Sequence, residues 1–127
     1  HTPAEWMQDR PSEPQLPLYA IALGDDVGAL AYGVLQRGGC AFHGLSDDTV
    51  RTKAAIPLGD WLRRRQLEEI TWEELIAEWE KRLRVLADAF AAGSADVDPR
   101  DGAETCDTCS LQTLCRVDEI RRVEFDD

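Results

Sequence analysis

Val27-Gly28-Ala29-Leu30-Ala31-Tyr32-Gly33-Val34-Leu35, followed by Gln36-Arg37-Gly38-Gly39 and Cys40-Ala41-Phe42-His43-Gly44-Leu45, is the stretch that separates an all-helical chain from a mixed one. The first run is small and apolar and shows no helical stripe. It reads as a buried strand, with Gly28 and Gly33 allowing another backbone to come close. The four residues after it supply a turn, and the last six suit the returning strand of a hairpin. Cys40 reads as a small buried residue of that hairpin. His43 reads as a surface or strand residue, because no second histidine lies within reach in sequence.

Upstream, Pro14-Gln15-Leu16-Pro17-Leu18-Tyr19-Ala20-Ile21-Ala22-Leu23 reads as a helix. Proline is tolerated only in a first turn, where backbone N–H groups lack partners anyway, so Pro17 places the start close to Pro14. Ser12 or Glu13 is then the expected cap. Leu16, Ala20 and Leu23 are expected on one face. Gln15 and Tyr19 are four apart and also share a face. Gly24 stops the helix. Ahead of it, residues 1–13 are polar and proline-rich. Trp6 and Met7 are their only large apolar residues, which suggests a short amphipathic turn with Trp6 packed inward.

Downstream, Ser46 to Pro57 is a polar loop in which Asp47 and Asp48 act as a loop cap rather than a metal site. Leu58-Gly59-Asp60-Trp61-Leu62 is a short helix running into Arg63-Arg64-Arg65, a solvated end. Thr71-Trp72-Glu73-Glu74 is a capping box, with Ile70 and Leu75 placed as a hydrophobic staple. The long helix it opens carries Trp72, Leu75, Ile76, Trp79, Leu83, Leu86 and Phe90 on a single stripe, expected to be core. Acids in its first half and bases after them complement the dipole. Gly93 ends it.

Cys106-Asp107-Thr108-Cys109-Ser110-Leu111-Gln112-Thr113-Leu114-Cys115-Arg116 carries three cysteines at C-x2-C-x5-C spacing. Two thiolates two residues apart can hold one metal from a single turn, and a third can close over it after another. Soft sulfur donors select zinc, copper(I) or an iron–sulfur cluster. An odd local count in a chain otherwise poor in cysteine argues against a secreted disulfide framework.

The totals set limits. At 127 residues the chain holds one compact domain or a large piece of one. No apolar run is long enough to span a bilayer and no signal peptide is evident, so a cytoplasmic protein without membrane contact is expected. A net charge of −11 makes the chain a poor non-specific polyanion binder, so nucleic-acid contact must come from local basic patches. The chain begins at His1 rather than Met, which suggests an excised segment.

Gln15-Leu16-Pro17-Leu18-Tyr19, a Q-x-x-x-Y helix start, precedes a long amphipathic helix, Asp98-Pro99-Arg100 and a cysteine loop ending in Leu114-Cys115-Arg116. In this order they resemble the C-terminal part of RecB-like nucleases of the PD-(D/E)XK superfamily, and in particular its AddB-type, iron–sulfur branch of bacterial DNA repair exonucleases. The resemblance runs from about Glu13 to Arg116. It implies an α+β, partial restriction-endonuclease-like fold: helix, β-hairpin, long amphipathic helix and cysteine-rich C-terminal loop. It makes residues 1–127 a C-terminal piece of the nuclease domain, with 96–117 as its iron–sulfur-type segment.

The resemblance further implies hydrolysis of DNA phosphodiesters with Mg²⁺ or Mn²⁺. Gln15 and Tyr19 would be accessory residues of the active site, and Gln15 and Arg116 would contact DNA. Cys106, Cys109 and Cys115 would be three of the four ligands of a [4Fe–4S] cluster, the fourth lying outside the chain. The family's D-(x)n-(D/E)-x-K strand, which precedes Q-x-x-x-Y, is absent: residues 1–10 contain Glu5 and Asp9 but no lysine. This chain alone is therefore expected to be inactive, with neither cluster nor divalent metal necessarily bound. DNA and a helicase domain or subunit are the implied partners. A homodimer of the fragment through Trp6, Trp61 or the Val27–Leu35 edge is a further expectation. Two rival readings are a zinc-stapled interaction module, using the three cysteines with Cys40 or His43, and a structural helical domain with incidental cysteines.

Overall fold

A computed structural model of the chain describes residues 2–107 and 109–115. They fall into two compact units, the first ending at Asp88 and the second beginning at Ala89. The fold is mixed α+β, with one three-stranded sheet and several helices, in keeping with a partial restriction-endonuclease-like fold. Among the described residues no helix is long and apolar enough to cross a membrane.

In the first unit, α1 (Pro3–Trp6) is a single turn whose Trp6 is fully buried. Helix α2 (Gln15–Leu23) follows, with Pro17 in its first turn as expected. Its N-cap position is Pro14, and neither Ser12 nor Glu13 caps it; no side chain makes a cap hydrogen bond there. Leu16 and Ala20 face the core, but Leu23 is 67% exposed because the chain turns away at Gly24.

The hairpin forms where the sequence places it. Strand β1 (Ala29–Gln36) pairs antiparallel with β2 (Gly39–Ser46) from Ala29↔Ser46 to Gln36↔Gly39, joined by the two-residue turn Arg37-Gly38. Gly38 has φ +95°, a conformation that β-carbons disfavour. A short β3 (Ile56–Pro57) adds in parallel beside β2, giving the order β1-β2-β3. The expectation of a buried strand is corrected: in β1 only Leu30 is buried, and Leu35 is among the exposed apolar residues. Cys40 is likewise exposed rather than buried. The packed end of the hairpin is the Leu30–Leu45 end. There Gly44 lies so close to β1 that a β-carbon would meet the Leu30 carbonyl oxygen at 2.3 Å.

The loop after β2 is held by its acids. The Asp47 carboxylate accepts from both the backbone N–H (2.8 Å) and hydroxyl of Thr49, which hold its pKa below the usual value. Asp48 accepts from the Gly59 N–H at 3.0 Å, so it caps the next helix across eleven residues. That helix, α3 (Leu58–Arg65), buries Leu58, Trp61 and Leu62 and exposes its three arginines.

Helix α4 (Trp72–Ala91) opens with the expected box: the Glu74 N–H donates to the Thr71 hydroxyl at 3.2 Å, and the Thr71 N–H donates to the Glu74 carboxylate at 2.8 Å. Trp72, Leu75 and Trp79 are buried. Trp79 meets Trp6 and Trp72 edge-on, with centroids 6.4 and 6.3 Å apart, an arrangement the ring quadrupoles favour. Two of the three indole N–H groups are satisfied: Trp79 Nε1 donates to the Trp6 carbonyl at 3.0 Å and Trp72 Nε1 to that of Val27 at 2.6 Å, while Trp6 Nε1 is buried without a hydrogen-bond partner. Arg82 donates to the Met7 carbonyl at 2.7 Å while pairing with Glu78 and Asp9. This aromatic cluster clamps the N-terminal segment onto α4 and forms the heart of the core.

The expected stripe stops short of the helix end. Leu83 is half-buried, Leu86 is exposed and Phe90 is 85% exposed, so only the first two turns of the stripe are core. Trp6 is packed inward as expected, and Trp61 is a core residue as well, so neither offers the surface suggested for pairing with another copy.

In the second unit, Gly93 ends α4 with φ +76°. The cysteine segment is not a bare loop but two short helices, α5 (Ala103–Asp107) and α6 (Gln112–Cys115). None of the described side chains from 89 to 115 is buried.

Candidate active-site face and cysteine segment

Gln15 and Tyr19 lie one turn apart on α2, opposite the side that buries Leu16, Pro17 and Ala20. The core therefore fixes the rotation of the helix and presents the pair to solvent. Gln15 Nε2 donates to the Tyr19 hydroxyl at 3.0 Å, and Tyr19 is 51% exposed. This hydrogen bond aligns an amide and a phenol side by side. Both can donate to, or accept from, an incoming phosphate or water.

Behind this face stands Tyr32 of β1, half-buried with its ring 5.9 Å from that of Trp6. Burial raises its phenol pKa, and the charges of Glu13 and Glu5, then Tyr19, raise it further. Tyr32 is thus held as a neutral hydroxyl beside two carboxylates and the exposed pair. Sequence reasoning treated it as filler in a small apolar strand. Its signal was the single aromatic, polar-tipped residue within that run.

Amides, phenols and distant carboxylates can orient a phosphodiester but cannot on their own generate a strong nucleophile. Among the described residues, no group of three or more His, Cys, Asp or Glu side chains is placed to hold a metal ion. This face therefore offers no ready ligand set for a divalent cation among the described residues. Asp47 and Asp48, as the sequence suggested, serve the loop and the start of α3. His43 lies exposed in β2.

The three cysteines of the second unit are free thiols, Cys106 and Cys115 half-buried and Cys109 exposed. A turn closes between the first two, with the Cys109 N–H donating to the Cys106 carbonyl at 3.0 Å. The Gln112 side-chain amide also donates to that carbonyl. The Leu111 N–H donates to Cys109 Sγ at 3.4 Å. Cys115 Sγ instead donates to the Gln112 carbonyl at 3.4 Å. The donor chemistry suits a soft metal, but as arranged the three sulfurs are not gathered into one ligand set. Arg116, expected at DNA, lies outside the described residues.

No curated protein and no solved structure matches the chain. The family model described as the PD-(D/E)XK nuclease superfamily matches residues 2–116, from the turn that carries Trp6 through the paired Gln15 and Tyr19 to the last described cysteine and the residue after it. That span covers nearly the whole chain, and on it the chain belongs to the PD-(D/E)XK nuclease superfamily.

Proposed function

We propose that this chain is part of a DNA exonuclease of the repair and recombination kind. In this reading Gln15 and Tyr19 flank the reacting phosphodiester and orient it through the amide and phenol. The supporting observation is their hydrogen-bonded alignment on an exposed helix face, within a chain whose superfamily consists of nucleases. Superfamily nucleases generally use divalent metals, with carboxylates and a lysine. Ahead of Gln15 this chain offers Glu5, Asp9 and Glu13 and no lysine, so by itself it leaves DNA intact. Cys106, Cys109 and Cys115 are proposed as three ligands of a [4Fe–4S] cluster, gathered only when the metal binds, since such binding is coupled to folding.

The test compares this chain with a version extended upstream, each with Mg²⁺ on linear DNA and each analysed anaerobically for iron, sulfide and visible absorption. The extended form should degrade DNA from its ends and carry about four irons per chain, and the chain alone should not cut. In the extended form, Gln15→Ala should lower kcat/KM by the worth of a hydrogen bond to a charged group, about 1.5–3 kcal/mol. Cleavage by the chain alone, or full activity of the Gln15→Ala variant, would refute the assigned roles. One tightly held zinc without nuclease activity in either form would replace this reading with the interaction module.

A further inference from the structure

Several cations of the described residues are paired within the protein. Arg63 pairs with Asp60, Arg82 with Glu78 and Asp9, Lys81 with Glu78, Arg84 with Glu80 and Arg100 with Asp101. Arg51, Lys53 and Arg65, like Arg37 and Arg64, have no carboxylate partner among the described residues. Arg65 instead lies 4.1 Å over the ring of Trp61. Two adjoining concavities, of about 350 and 260 Å³, bring these three together: Arg51 and Lys53 line the first, and Lys53 and Arg65 the second. No Asp or Glu lines either, in a chain with 25 acidic residues. At the rim of the second stands Phe42, 64% exposed. An unpaired cationic track with an open aromatic ring beside it is the combination that holds a sugar–phosphate backbone and stacks a base.

We infer that Arg51, Lys53, Arg65 and Phe42 form a binding track for single-stranded DNA. Phosphates run along the three cations and one base stacks on Phe42. The inference rests on the nuclease reading and deepens it by placing a strand of the substrate on the β2–α3 side of the first unit. The single strand is favoured over duplex because an exposed ring needs an unstacked base, which duplex does not offer. The overall charge of −11 makes the local nature of the track decisive, because the rest of the surface repels the ligand.

The test is fluorescence anisotropy of a labelled oligothymidylate of about 16 nucleotides against the full chain across a salt series. Unlabelled duplex and RNA of equal length serve as competitors. Arg51→Gln/Lys53→Gln should weaken binding at least about tenfold and flatten the slope of log K against log salt by about 1.4, two phosphate contacts' worth. Phe42→Ala should weaken binding by about five- to hundredfold with the slope unchanged. Lys81→Gln/Arg84→Gln, which removes paired cations, should leave both quantities as they were. All the substituted residues are solvent-exposed, and tryptophan emission checks that each variant is folded. No binding by the unaltered chain, no effect of the track variants, or tighter binding of duplex or RNA would each overturn the inference. If an extended form degrades DNA equally well with and without the track substitutions, the track fails and the nuclease reading stands. If the track binds but the extended form cuts nothing, the nuclease reading fails and the track stands.

Discussion

Trp79 and Cys106 belong to regions built on opposite principles. Around Trp79 the chain is held by burial: three indoles meet edge-on, and the side chains of Trp72, Trp79 and Arg82 donate to backbone carbonyls of Val27, Trp6 and Met7, far away in sequence. Around Cys106 everything is local. Each hydrogen bond spans a few residues, and no described side chain is buried. The first region owes its shape to solvent exclusion and the second to turn geometry. A region of the second kind is free to rearrange around a ligand, because little packing must be broken to do so.

Substitutions should separate the two. Trp79→Ala removes the centre of the aromatic cluster and strands the carbonyl of Trp6, so it should cost about 3–5 kcal/mol in urea unfolding, the range for large-to-small core changes. A loss under about 1 kcal/mol would mean that the cluster collapses into the gap and is not the keystone. Gly44→Ala drives a β-carbon into the backbone of β1, which cannot yield as a flexible side chain would. A loss of about 1–3 kcal/mol is expected, with reduced amide protection along the hairpin in hydrogen exchange. Thr71→Ala deletes one half of the capping box and should lower the unfolding free energy by about 1 kcal/mol. Cys106→Ser should change metal-free unfolding by less than about 0.5 kcal/mol, because the half-buried thiol anchors nothing nonlocal. A larger loss, measured in chelator, would erase the contrast between the regions.

The same contrast explains what could be read in the sequence. The hairpin, the capping box, Pro17 in a first turn and the adjacency of Gln15 and Tyr19 all depend on spacing within one element, and all were legible. Burial was not. The run Leu83, Leu86, Phe90 keeps helical spacing with Trp79, yet its exposure rises along the helix, since periodicity says which residues share a face and not whether anything covers it. For the same reason β1 was taken as buried, although only Leu30 is covered, and Trp61 was taken as candidate surface although it is core. At the candidate site, Gln15 and Tyr19 were legible from their spacing. Tyr32 was not, because its place behind them comes from the packing of β1 against α2 and the N-terminal turn. The union of Arg51 and Lys53 with Arg65 was also hidden, since a loop and a helix twelve residues apart had first to fold together.

The placement of the aromatic residues has a practical consequence. All four tryptophans and both tyrosines precede Asp88, and Trp6, Trp72 and Trp79 are in edge contact. Emission and near-ultraviolet circular dichroism therefore report on the first unit alone. The cysteine segment, with no indole or phenol of its own, is silent there and would become visible only through sulfur-to-metal charge-transfer bands. A single titration with metal, followed in both optical windows, reads the two halves of the chain independently.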